Sequence, residues 1–166
     1  MKFFETSKYY SLKKSTYITL RWIAILGQLF SINIVYFYFN FDFDYLISSI
    51  IILLGAASNF FLIFYYKKTQ ISDRSALMFL IIDICQLAGL IYLTGGITNP
   101  FVIFLLIPSV FASTNLGLRT NLLLLFLTTM IIIILTFFSQ ELPKPLSNHF
   151  HVSDYYYYSV PLALSI

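Results

Sequence analysis

Apolar residues gather along the chain into long blocks with short polar breaks, and no block alternates apolar with polar positions. The blocks run over Tyr17–Phe39, Tyr45–Tyr65, Ala76–Leu93, Pro100–Leu116 and Thr120–Phe138, and a last one starts near Tyr157. A helix needs about 20 apolar residues to cross a bilayer core, whereas a barrel strand needs about half that length and alternates. Backbone in lipid must also satisfy its own N–H and C=O groups, which isolated strands do not. The pattern therefore predicts an all-α membrane protein: a leader over residues 1–16, then a bundle of six transmembrane helices over 17–39, 45–65, 76–93, 100–116, 120–138 and 157–166.

Composition points the same way. The 166 residues are 59% hydrophobic and 10% charged, with a mean hydropathy of +0.84, outside the range of a water-soluble domain of this length. The first block follows a basic leader as a signal peptide would, but it is too long for a cleavable segment and ends in bulky aromatics over Val35–Phe41, so an uncleaved helix is expected. One cysteine, Cys85, excludes an internal disulfide, and its place in an apolar block marks it as a small core residue. The 18 Phe and 13 Tyr fit an AT-rich coding bias as readily as an aromatic function.

Charge sets the orientation. With the N-terminus in the cytoplasm, Lys2, Lys8, Lys13, Lys14, Arg21, Lys67, Lys68, Arg74 and Arg119 fall inside, and Lys144 alone falls outside. Asp42, Asp44, Glu141 and Asp154 occupy the outer side. The outer segment Gln140–Tyr156 leads into four tyrosines, Tyr155–Tyr158, that read as an interfacial belt. Its His149 and His151 lack the third and fourth ligands of a zinc site, so no metal is expected. Residues Tyr157 to Ile166 span about 15 Å at the helical rise, roughly half a bilayer core. The sixth helix is thus read as truncated, the missing part beginning on the cytoplasmic face.

Two features carry candidate chemistry. The connection between the third and fourth helices holds Gly95, Gly96, Ile97, Thr98, Asn99, Pro100 and Phe101. Structurally, a glycine can close one helix in the left-handed conformation, Asn99 can cap the next, and Pro100 suits its first turn. Functionally, the same segment places a helix N-terminus, a side-chain amide and a flat aromatic ring at the membrane border, which suits a planar, carbonyl-bearing, lipid-soluble ligand such as a quinone. The second feature is the set of polar residues within the spans. Asp83 is the one acidic residue there, and Gln28, Asn59 and Asp83 lie at similar depths of about 10–14 Å from the cytoplasmic ends. They are expected to form one hydrogen-bonded layer, with Gln86 a turn further along the face of Asp83. The layer reads either as structural glue between helices or as a proton-linked or signalling site.

Arg21-Trp22 with Ala24, Gly27 and Gln28, Asp83, the run Tyr92-Leu93-Thr94-Gly95-Gly96 followed by Thr98-Asn99-Pro100-Phe101, and Pro108 together resemble the membrane domain of the RegB/PrrB/ActS family of redox-responsive sensor histidine kinases. The resemblance covers essentially the whole chain, and its most specific part is Gly-Gly-x-x-Asn-Pro-Phe at Gly95–Phe101. It implies six helices before a cytoplasmic kinase, a homodimer in the bacterial inner membrane, and ubiquinone sensed at the outer loop. Oxidised quinone would restrain autophosphorylation and transfer to a response regulator. The ATP and magnesium sites, the phosphorylated histidine and the redox cysteine of that family lie beyond its membrane region. Neither His149 nor His151, on the outer side, nor Cys85, within a helix, can stand in for them, so no catalytic residue and no nucleic-acid contact is expected here. Rival readings are a small transporter with Asp83 as coupling residue, a membrane-embedded lipid enzyme, which a solitary Asp83 does not equip, and a ligand-free scaffold.

Overall fold

The computed structural model describes residues 12–38, 40–67 and 69–138. The expected sixth helix over 157–166, His149 and His151, the tyrosine belt and most of the leader lie outside the described residues. Within them the elements are helical, apart from one two-residue antiparallel pairing of β1 (Leu12–Lys13) with β2 (Gln70–Ile71).

The helices are α1 (Lys14–Asn33), continued by a π-helical turn over Ile34–Tyr38, then α2 (Tyr45–Tyr65) and α3 (Asp73–Leu93). A short 3-10 turn at Gly96–Thr98 precedes a 3-10 segment at Pro100–Leu106, and α4 (Ile107–Asn115) and α5 (Leu118–Phe137) follow. Four segments, Lys14–Tyr38, Tyr45–Tyr65, Asp73–Leu93 and Leu118–Phe137, are long and apolar enough to cross a membrane, and Pro100–Asn115 forms a shorter apolar helix.

The second helix takes the expected bounds, and the others shift for identifiable reasons. α1 starts at Lys14, not at residue 17, because the Lys14 ammonium folds onto the end of α2. It donates to the carbonyls of Ile63 at 2.9 Å and Tyr66 at 2.6 Å, oxygens that a helix C-terminus leaves without partners. α3 starts at Asp73 rather than residue 76. Ser72 caps it by accepting from the Ser75 N–H, and Asp73 faces the positive end of the helix dipole. The fourth segment is not one α-helix over 100–116. Pro108 has no N–H to give to the Phe104 carbonyl, which accepts from Ile107 three residues on, so the turn before the proline is of the tighter kind.

Neighbouring helices pack in the order α1, α2, α3, α5, α4, with α3 at the centre and the 3-10 segment folded back upon it. One apolar core joins α3, α4 and α5 through residues such as Leu80, Ile84, Leu105, Ala112, Leu124 and Ile132. A smaller one, of Ile25, Ile32, Ile52 and Leu90, fills the seam of α1 with α2 and α3. The surface is inverted relative to a water-soluble protein. Phe30, Phe64 and Phe137 are each about 70% exposed or more, while Arg21, Ser48, Asn59 and Thr128 are buried. In water such a surface would aggregate, and lipid is the solvent it fits.

Lys13, Lys67, Arg74 and Arg119 are exposed at the end of the bundle that holds the β1–β2 pairing, and Asp42 and Asp44 are exposed at the other. At the first end the Asp73 carboxylate accepts from the Gly117 N–H at 3.2 Å, tying the start of α3 to the turn before α5.

Close packing of α2 on α3 depends on Gly55. The side-chain amide of Gln86 occupies the place where a Cβ would stand, closer than a real Cβ contact allows. Gly55→Ala is therefore expected to displace Gln86 and destabilise the bundle by about 1–3 kcal/mol. In denaturant unfolding from mixed micelles, most of that loss should be recovered in Gly55→Ala/Gln86→Ala.

Candidate functional site

The polar residues of the spans do not meet in a single layer. Asp83 takes its partners from α1. Arg21 Nε donates to Asp83 Oδ1 at 2.9 Å, Arg21 Nη2 stands 2.7 Å from the same oxygen, and the Tyr17 hydroxyl donates to Oδ2 at 2.7 Å. Arg21 Nη2 also donates to Ser58 on α2, so one guanidinium ties three helices. Its flat faces are covered too, lying 5.6 Å from the Tyr17 ring centroid and 5.7 Å from that of Phe79. Tyr17 in turn stacks on Phe111 of α4 at 5.9 Å.

A carboxylate in a low-dielectric site is held far more strongly by a cation than by neutral amides, which explains why Asp83 engages Arg21 and not Gln28 or Asn59. Gln28, two turns further along α1, accepts instead from Gln86 at 2.8 Å, over the Gly55 notch. Asn59 is fully buried and donates to the Ile18 carbonyl at 3.4 Å. At the far end of the same seam the Tyr45 hydroxyl donates to Asn33 Oδ1 at 3.1 Å. The expected layer is thus a ladder: an ionic rung, an amide rung and a tyrosine rung, strung along the seam of α1, α2 and α3.

Tyr17, Arg21 and Ser58 were not expected at this site. The signal for the first two is their spacing of four, which puts both side chains on one face of α1. Reading Arg21 only as a cytoplasmic marker hides that face, because an arginine a few turns inside a helix has enough reach to turn inward.

Two buried polar atoms in the ionic region have no partner among the described residues: Arg21 Nη1 and Asn59 Oδ1. Among those residues no group of three or more His, Cys, Asp or Glu side chains could hold a metal ion. Cys85 is exposed on α3, not enclosed in the core as its apolar surroundings suggest.

The connection after α3 is tightly self-bonded. Gly95 and Gly96 both take left-handed conformations, at φ 112° and 55°, which side chains of other residues rarely tolerate. The Thr98 N–H and hydroxyl both donate to the Gly95 carbonyl, at 3.2 and 2.7 Å. Asn99 acts as a clasp. Its Oδ1 accepts from the Phe101 N–H at 2.9 Å, capping the next helix, and its Nδ2 donates to the Thr94 carbonyl at 3.0 Å and to Thr94 Oγ1 at 2.6 Å. Thr94 Oγ1 passes its own hydrogen to the Leu90 carbonyl at 2.7 Å.

Both amide hydrogens of Asn99 are therefore spent within the protein, and the free donor expected at that position is not free in this conformation. Ile97 is fully buried, and Gly95, Gly96, Thr98 and Asn99 are buried with it. Pro100 and Phe101 are exposed, and the Phe101 ring lies 5.7 Å from that of Phe104, also exposed. The loop thus offers a rigid, self-satisfied interior and an aromatic outer edge.

Comparison with known proteins adds a family. The family model described as the PilS-like transmembrane domain matches residues 14–164. The sensor histidine kinase RegB of Cereibacter sphaeroides is 30% identical over 110 residues, which cover 66% of this chain and 24% of that protein. The chain spans about a quarter of the length of this curated relative. No solved structure matches it.

The ionic rung makes a quantitative expectation. Arg21→Met or Asp83→Leu alone leaves the other group without its counter-charge and should cost about 3–5 kcal/mol, while Arg21→Met/Asp83→Leu together should be neutral or stabilising. Denaturant unfolding of the four proteins in one double-mutant cycle measures this; a loss in the double variant equal to the sum of the two single losses would mean the pair contributes no coupling.

Proposed function

We propose that this chain, which belongs to the PilS-like transmembrane domain family, senses the redox state of a membrane quinone pool for a histidine kinase. It is a membrane sensing domain related to a sensor histidine kinase. In this proposal the redox state of the quinone controls kinase autophosphorylation and phosphotransfer to a response regulator, and the chain acts as a homodimer with its N-terminus in the cytoplasm of a bacterial inner membrane. The exposed cations at one end of the bundle support that orientation, since Lys and Arg are retained on the cytoplasmic side.

The observation that carries the quinone reading is the clasp of Asn99 on Thr94 beside the exposed ring of Phe101. A quinone lying against Phe101 at the lipid border brings a carbonyl acceptor to a loop whose best donor is engaged with Thr94. The carbonyl competes with Thr94 for an amide hydrogen of Asn99. A quinol hydroxyl, which itself seeks an acceptor, competes less well. Release of Thr94 would alter the last turn of α3, because the same hydroxyl is bonded to Leu90. Oxidised and reduced ligand would then favour different states of α3, the differential affinity that any sensor requires.

Binding of a soluble ubiquinone analogue to the chain in lipid nanodiscs tests this. Phe101→Ala should weaken binding about tenfold, equivalent to about 1.4 kcal/mol. Thr94→Val, which removes one competitor for the Asn99 amide, should tighten it. If neither variant changes affinity, the loop is only a pair of helix caps.

A further inference from the structure

We propose that Tyr17, Arg21 and Asp83 form a proton-operated latch that fastens α1 to α3 within the membrane. The inference rests on the geometry of the ionic rung and is independent of any ligand at the outer loop.

A buried ion pair usually stabilises a fold less than apolar side chains of the same volume would, and inside a bilayer ionisable groups carry a particular cost. What the pair adds is dependence on a single proton. While Asp83 is ionised, it holds the Arg21 guanidinium in the seam through Nε and Nη2. When Asp83 takes up a proton, the charge that holds Arg21 is gone, and only the neutral Ser58 hydroxyl and the Tyr17 and Phe79 rings remain to hold a guanidinium in a low-dielectric site.

Three observations make Arg21 able to leave. One of its nitrogens, Nη1, is buried without a partner among the described residues, so its seat is incomplete. It sits seven residues into α1, about 10 Å from the Lys14 end at the helical rise. A long arginine side chain covers much of that distance by extending toward the interface, where water and phosphate are available. Its bonds to α2 and α3 are all side chain to side chain, so no backbone ladder has to break when it goes.

Tyr17 supplies the route. It lies one turn nearer the same end of α1 than Arg21, and its hydroxyl donates to Asp83 Oδ2. A proton delivered by water to the Tyr17 oxygen lets the phenol pass its own hydrogen to Oδ2. Tyr17 then ends neutral, Asp83 ends neutral, and the bond between them persists with the carboxylic acid as donor. The pair loses one negative charge, and Arg21 retains its positive one.

Among the described residues, no other ionisable group of the packed elements competes at Asp83. α2 presents Ser58 and Asn59, which are neutral, and α4 presents the Phe111 ring to Tyr17. α4 has no charged residue, and that of α5, Arg119, is exposed in its first turn. On α3 itself, Gln86 is neutral, and Cys85 is exposed, two residues on and therefore on the other side of the helix.

The test uses the chain in lipid nanodiscs free of quinone. Infrared difference spectra on acidification should show the carbonyl stretch of a protonated carboxylic acid that is missing in Asp83→Asn. Spin labels placed at the exposed positions Ile23→Cys on α1 and Met78→Cys on α3, in a Cys85→Ser background, report the separation of the two helices by pulsed electron resonance. That distance should lengthen in step with the infrared band, and Asp83→Asn should show the longer distance at every pH. Asp83→Glu should retain a pH-dependent step. The latch is overturned if the wild-type protein shows no such band while folded, if the band appears without a change in distance, or if Asp83→Asn keeps the short distance. Should Asp83→Asn fail to insert, the wild-type titration and Asp83→Glu decide between the same outcomes.

Discussion

A charge inside a bilayer must find its counter-charge in the protein, and the arrangement of the first three helices follows from that demand. Arg21 and Asp83 lie on helices that are not immediate neighbours in the packing order, so their contact fixes how α1 and α3 sit on either side of α2. In that arrangement Ser58 reaches the guanidinium, and Tyr17 completes the carboxylate from the same face of α1. The amide rung of Gln28 and Gln86 then falls over Gly55, where a glycine leaves room for it. Apolar side chains facing lipid offer no comparable discrimination between one helix rotation and another, because lipid tails are as apolar as they are.

The bundle divides into two halves with different physics. The seam of α1, α2 and α3 is laced with polar rungs, whereas α3, α4 and α5 share an apolar core with one hydroxyl contact, Ser109 with Thr128, buried within it. α3 belongs to both halves. Its end carries the clasp at Thr94 and its middle carries Asp83, so a change at the Gly95–Phe101 loop and a change at the ionic rung act on one rigid element.

Much of this was legible in the residues. Block length and composition were enough for the four long helices, because lipid permits few other folds, and the Gly-Gly-x-x-Asn-Pro-Phe run announced a left-handed turn followed by a capped helix. The rest was hidden for physical reasons. Depth along each helix places Gln28, Asn59 and Asp83 at similar levels, but depth says nothing about rotation, and rotation decides who bonds to whom. An isolated arginine near a span's end is counted as a topology marker by any charge rule, although its length also lets it reach inward to a carboxylate. Asn99 was readable as a donor, but that both of its hydrogens are taken by Thr94 depends on backbone turns at Gly95 and Gly96 that residue types alone do not specify.

The handover at Pro108 has a consequence for membrane thickness. A 3-10 coil rises about 2.0 Å per residue against 1.5 Å in an α-helix. The seven residues of Pro100–Leu106 and the nine of Ile107–Asn115 therefore extend about 28 Å together, close to the ~30 Å hydrocarbon core. A segment several residues shorter than its neighbours thus matches the same slab of lipid by winding more tightly, and relaxing it to a uniform α-helix would draw one end into the hydrocarbon.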